Sequence, residues 1–169
     1  PVSPYAATKL SGEHLCHAAH VTWGMQVSCM RLFTVYGPRQ RPEMAIHLFS
    51  RLVRGGKAIP RFGTGESLRD YTFVSDVVDG LVRALERPNG FQVYNLGNDS
   101  PISLNGLIQK LSIALGCVIE QDILGDQPGD VPRTWASIER AQRDLGYVPR
   151  VGLDDGLAAF VRWLDGQLA

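Results

Sequence analysis

Apolar positions along this chain switch between helical and extended spacing. From Tyr5 to Trp23 no proline intervenes, Ser3 stands where it can cap a first turn, Pro4 sits where a missing N–H costs nothing, and Gly24 closes the run. These features predict a helix. Gln26 to Phe33 is short and apolar and reads as a buried strand, followed by a loop over Thr34 to Pro38. Met44, Ile46, Leu48, Phe49, Leu52 and Val53 recur at helical spacing up to Arg54, and Gly55-Gly56 ends that helix. Ile59 to Phe62 is an extended piece whose proline makes it edge-like, and Arg69 to Val74 alternates as a strand. A helix is expected from Val77 to about Glu86, capped by Ser75 or Asp76, then a strand from Phe91 to Leu96. Ser103 caps a helix over Leu104–Leu115, Val118 to Ile123 is extended, and Gln127 to Asp130 is a turn. Ser137 opens a helix that Gly146 and Pro149 stop at Leu145, and Leu153 to Leu168 is a last amphipathic helix. Helix and strand alternate, so the predicted class is α/β.

One pair on the first helix carries candidate chemistry. Tyr5 and Lys9 are four apart and share a helix face. A neighbouring ammonium favours an ionised phenol, and an ionised phenol beside a substrate hydroxyl is a general base. The spacing alone is common on solvated helices; the motifs farther along the chain give it weight. His14, His17 and His20 lie on the same helix, but their spacing splays the outer two apart and no fourth ligand is evident, so no metal site is expected.

Composition narrows the partners. The 169 residues carry 17 basic and 17 acidic side chains, so no overall charge points to nucleic acid or an anionic membrane. From Arg31 to Arg69, however, eight Lys/Arg stand against only Glu43 and Glu66, which suits a small anionic ligand such as a nucleotide diphosphate. Three scattered cysteines predict reduced thiols and a cytoplasmic protein, and no apolar run reaches membrane-spanning length. The chain does not begin with Met and enters a helix almost at once, so a truncated polypeptide is expected.

Five pieces in order, SPYAATK, RLFTVYGPRQRPEMA, FGTGESLRDYTFVSDVVDG, VYNLG and QPGDV, span nearly the whole chain. With them it resembles the extended short-chain dehydrogenase/reductases of the NAD-dependent epimerase/dehydratase family. The RPEMA and QPGDV pieces look most like the UDP-glucuronate 4-epimerase branch. The resemblance implies the C-terminal part of a Rossmann-like doubly wound sheet (1–38 and 75–98) plus a smaller α/β substrate-binding lobe (39–74 and 99–169). It implies NAD as cofactor, a UDP-sugar as substrate, and a homodimer through the helix from Tyr5 to Trp23. Tyr5 would deprotonate the sugar 4-hydroxyl, and Lys9 would hold the nicotinamide ribose and favour the Tyr5 phenolate. Leu32 and Phe33 would border the nicotinamide. Thr34, where other epimerases have Asn, would sit beside the substrate phosphates, and Arg41 near the sugar end or its carboxylate. Ile59 to Phe62 would shape the uracil pocket, Arg69 would clamp the diphosphate, and Asp130 would accept from the ribose hydroxyls. Gln127 replaces an Arg common in galactose-type epimerases.

One departure is large. A dinucleotide fold needs a Gly-rich turn at a helix N-terminus for the pyrophosphate, and no G-x-x-G-x-x-G occurs in these 169 residues. The chain therefore reads as the C-terminal half of such an enzyme, inactive alone. A non-catalytic UDP-sugar-binding piece and part of a nucleotide-sugar dehydratase are the alternatives.

Overall fold

The structure, a computed structural model, describes residues 1, 3–125 and 131–168. The first helix, α1 (Pro4–Trp23), starts and stops where its side chains dictate. Ser3 Oγ accepts the Ala6 N–H at 3.1 Å, and Gly24, at φ 65°, donates to the His20 carbonyl. Strand β1 (Val27–Leu32) then runs parallel to β5 (Phe91–Leu96), Val27 opposite Phe91 and Leu32 opposite Leu96. α1 lies against this pair.

A second sheet is built from β2 (Thr34–Tyr36) and β4 (Leu68–Phe73), which are parallel. β6 (Pro101–Ser103) joins β4 antiparallel and β8 (Arg133–Thr134) joins it parallel. A third pairs β3 (Ile59–Phe62) with β7 (Gln121–Leu124). The helices between are α2 (Ala45–Arg54), α3 (Val74–Glu86), α4 (Leu104–Leu115), α5 (Glu139–Leu145) and α6 (Leu153–Leu168). The architecture is α/β, as the alternation predicted. No described helix is long and apolar enough to cross a membrane.

Two apolar cores result. The larger joins α2, α4 and α6 around Ile46, Ile59, Leu107, Leu111, Leu157 and Phe160. The smaller sits under β5, where Val77, Tyr94, Leu96, Ile138, Leu145 and Tyr147 meet, with Met30, Phe33 and Val35 packed on its edge.

Several boundaries differ from the expectation. Thr34–Tyr36 is a strand rather than loop because Tyr36 is a core residue, only 1% exposed. Its ring meets Tyr71 and Phe73 edge-on, and its hydroxyl donates to the Leu153 carbonyl at 3.4 Å. α3 begins at Val74 with Phe73 in the cap position, so neither Ser75 nor Asp76 caps it. The buried Asp76 carboxylate instead accepts the Val151 N–H at 3.0 Å and anchors the approach to α6. β1 is half-covered rather than buried, with Leu32 49% exposed, since β5 is its pairing partner among the described residues. Val118 lies in solvent ahead of β7, and α5 starts at Glu139 because Ile138 turns into the smaller core. The turn expected at 127–130 lies outside the described residues.

Candidate active site

On α1, Tyr5 and Lys9 stand side by side, with Lys9 Nζ 5.4 Å from the centre of the Tyr5 ring. One turn on, both Glu13 carboxylate oxygens accept from Arg31, from Nε and Nη2, at 2.7 Å each. That bidentate pair crosses from α1 to β1 and fixes the height of the helix over the end of the strand. The Arg31 hydrogen bonds hold the Glu13 carboxyl below its ordinary value despite partial burial. Below this row runs a groove of about 680 Å³, lined by Tyr5, Lys9, Glu13, Cys29, Arg31 and Leu32.

A second cleft, about 610 Å³, adjoins it at Tyr5 and Leu32. Leu32, Phe33, Thr34, Arg39 and Arg41 line it with Tyr5. Tyr5 and Leu32 therefore belong to both hollows, and the phenol stands where they meet. Of the expected site residues, Tyr5, Lys9, Leu32, Phe33, Thr34 and Arg41 all border this double hollow. The Tyr5 ring is 71% exposed, open to a ligand rather than packed among aliphatics.

The wall bearing the arginines is held from outside. Gly37 takes φ 137°, and a Cβ there would lie 2.7 Å from Val74 Cγ1, so the turn tolerates no side chain. Arg39 is left-handed at φ 67°. Gln40 donates through Nε2 to the Val35 carbonyl at 2.9 Å and accepts the His47 N–H at 3.2 Å. His47 Nδ1 lies 2.6 Å from the Gln40 carbonyl oxygen, and its ring is wedged edge-on against Phe160 and Trp163. Arg41 is exposed and pairs with Glu43 at 3.3 Å. The sequence marked this stretch as a polar loop through Gly37-Pro38 and Arg39 to Glu43; the Gln40–His47 clamp carried no signal.

The remaining expected residues lie elsewhere. Ile59 is fully buried in the larger core, so its side chain is not open to a ligand; Phe62, 41% exposed, is the accessible ring of β3. Arg69 is half-buried on β4, opposite Thr134 of β8, and donates to the Leu68 carbonyl at 2.8 Å. Its neighbour Asp70 is fully buried and accepts the N–H groups of Asn98, Asp99 and Ala136 at 3.1–3.3 Å. Asp70 is thus a tie between β4 and two distant loops. Gln127 and Asp130 lie outside the described residues. His17 and His20 pack around Phe91, and His20 Nδ1 sits 2.6 Å from the Met25 carbonyl oxygen.

Comparison with known proteins places this arrangement. The profile of the NAD dependent epimerase/dehydratase family matches residues 1–97. A UDP-glucuronate 4-epimerase of Thermodesulfobacterium geofontis is 38% identical over 96% of this chain and 50% of its own length. UDP-glucuronate 4-epimerase 4 of Arabidopsis thaliana is 38% identical over 96% of this chain and 41% of its own. The UDP-glucuronic acid 4-epimerase of Bacillus cereus, solved with UDP-glucuronic acid and NAD, superposes with a TM-score of 0.93 at 40% identity. It takes in all of this chain and 54% of that one. The UDP-glucose 4-epimerase of Thermotoga maritima, solved with UDP-glucose, reaches 0.95 at 30% identity, over 100% and 55%. The chain thus spans about half the length of the relatives it matches. Because the family match takes in α1 with Tyr5 and Lys9, both strands beneath them and the loop carrying Arg41, this chain belongs to the NAD-dependent epimerase/dehydratase family.

Proposed function

We propose that the chain forms the nucleotide-sugar side of a UDP-sugar 4-epimerase whose substrate is UDP-glucuronate. The observation that carries the reading is the position of Tyr5 between two hollows. A cofactor ring on the groove side and a sugar on the cleft side would both reach one phenol oxygen. Tyr5 takes the proton of the sugar 4-hydroxyl and returns one after the 4-keto ring has turned over. Lys9, one turn along, binds a ribose hydroxyl and favours the ionised form of the phenol.

The residues present fit the nicotinamide end of NAD: a phenol and an ammonium together, beside the half-exposed apolar Leu32 and the Phe33 backbone tied to Leu96. When bound, NAD supplies hydride removal and return at the sugar C4. The pyrophosphate end has no Gly-rich turn in the 169 residues, so we assign turnover to a protein that also supplies that turn. Thr34 sits beside the substrate phosphates, and Arg69 and Asp130 serve the diphosphate and ribose. Ile59 and Phe62 border the uracil, Ile59 through its backbone.

Arg41 receives the sugar carboxylate. Its present partner Glu43 is an exposed carboxylate, and exchanging one such partner for another costs little. The higher identity to glucuronate enzymes supports this choice; overall shape does not decide, since the glucose epimerase superposes equally well. We assign the protein to the cytoplasm on its three free cysteines.

The test combines calorimetry on this chain with turnover by a protein that contains it and a dinucleotide-binding half. The chain alone binds UDP-glucuronate, binds NAD poorly and turns nothing over; the larger protein prefers UDP-glucuronate to UDP-glucose. Preference for the neutral sugar overturns the substrate assignment. Turnover by the 169-residue chain alone overturns the division of labour.

A further inference from the structure

We propose that Cys16 and Cys29 form an oxidisable dithiol, which a small-molecule disulfide closes into an intrachain bond tying α1 to β1. Tyr5, Lys9, Glu13 and Cys16 succeed one another at steps of four, four and three along α1, a single stripe on one helix face. Glu13 of that stripe rests on Arg31 through two 2.7 Å hydrogen bonds. Cys29 lies two residues before Arg31 on β1, hence on the same face of the strand. One helical turn beyond Glu13 therefore sets Cys16 above Cys29.

Cys16 is among the groups that raise the Cys29 thiol, as the register of α1 over β1 requires of neighbours. Both are half-buried, and Cys29 lines the groove that also holds Tyr5 and Lys9. Half-buried thiols are within reach of a small disulfide more readily than of a protein surface. The proposed proton transfer at Tyr5 uses neither thiol. Cys117 is exposed beyond the end of α4 and serves as an internal control.

The exchange balances without a metal or a further oxidant. The Cys16 thiolate attacks one sulfur of an oxidised glutathione molecule, forming a mixed disulfide and releasing one glutathione thiolate, which takes a proton. Cys29 gives its proton to water and attacks the Cys16 sulfur, expelling the second glutathione. The protein loses two electrons and two protons; the small disulfide gains both as two thiols. The groups facing Cys29 set the pace of the closing step. Burial foremost, then Cys16 and the Glu13 carboxylate, push the Cys29 thiol up to about 11, with Arg31 on its own strand acting the other way. Closure therefore quickens by roughly tenfold per pH unit between 7 and 9.

The experiment incubates the folded chain with oxidised glutathione at pH 8, quenches in acid and measures free thiols, intact mass and a disulfide-mapped digest. The expected product carries glutathione on the exposed Cys117 alone and has gained a Cys16–Cys29 cross-linked peptide. Cys117→Ser gives the same bond, while Cys29→Ser stops at a glutathione adduct on Cys16. A wild-type chain that retains glutathione on Cys16 with Cys29 free overturns the proposal. So does a bond that appears only in urea, or one that joins Cys117 of two chains.

Discussion

Removing the Tyr5 hydroxyl separates binding from chemistry. The ring of Tyr5→Phe would still stand between groove and cleft, so calorimetry with UDP-glucuronate is expected to give a Kd within about twofold of wild type, while a general base lost from the site costs about a hundred- to ten-thousand-fold in turnover of the assembled enzyme. A loss confined to KM would remove Tyr5 from the chemistry. Glu13 supplies a pH signature on the same helix. The Arg31 hydrogen bonds lower its folded value below the unfolded one of about 4.3, so the pair contributes stability above that pH and loses it as pH falls through the folded value. Cys29 acts at the other end. Its folded value, about 11, lies above the unfolded value of about 8.5, so its contribution is complete below about pH 8.5 and fades as pH rises toward 11. Thermal melts across pH are expected to fall on both flanks; Glu13→Gln lessens the acid fall and Cys29→Ser the fall between about pH 8.5 and 10. Above that, the buried phenols of Tyr36, Tyr71 and Tyr147, also raised by burial, add their own loss. An unchanged profile in either variant would show that its group carries none of the pH dependence.

Among the elements, the Gly37 turn is the most sensitive to substitution. Its φ of 137° and the 2.7 Å approach to Val74 mean that Gly37→Ala must displace either the turn or the start of α3, at a cost of about 1–3 kcal/mol. Because Arg39 and Arg41 come next on the same wall of the cleft, weakened UDP-glucuronate binding should accompany the lower denaturation midpoint. Asp70→Ala is expected to cost about 3 kcal/mol by stranding three amides, and urea denaturation measures it. These two positions also mark what the sequence could and could not reveal. Helices α1, α2, α4 and α6 were legible because apolar spacing and end residues such as Ser3, Gly24 and Ser103 act within a few positions. β2, β6 and β8 were not, since strands of two or three residues exist only through pairing with β4. Asp70 likewise carried no local signal, because its partners come from beyond the end of β5 and from residue 136. The Tyr5–Lys9 pair was legible because its spacing is local, whereas the clamp of Gln40 by His47 depends on α6 standing behind α2.

For the molecule as a whole, the outer surface of α1 raises the question of what covers it. None of its 20 residues is fully buried, and Leu15 and Val21 are 72% and 68% exposed. Scattered exposed apolar residues are ordinary, but this helix also shows Leu10, with Trp23 at its end. Two copies related by a twofold axis would set α1 against α1, so each exposed side chain would be covered twice for one contact geometry. We therefore expect the chain to self-associate through this helix, as the family resemblance implies. Sedimentation velocity on the wild type should show a concentration-dependent dimer, and a Leu15→Glu, Val21→Lys double variant should sediment as a monomer. The edge of β1 away from β5, uncovered among the described residues, is the rival route, because it offers unpaired backbone groups. If association runs through that edge, the α1 variant remains dimeric while Ser28→Pro, which removes a backbone donor from β1, becomes monomeric. A wild-type monomer at high concentration would dismiss both contacts.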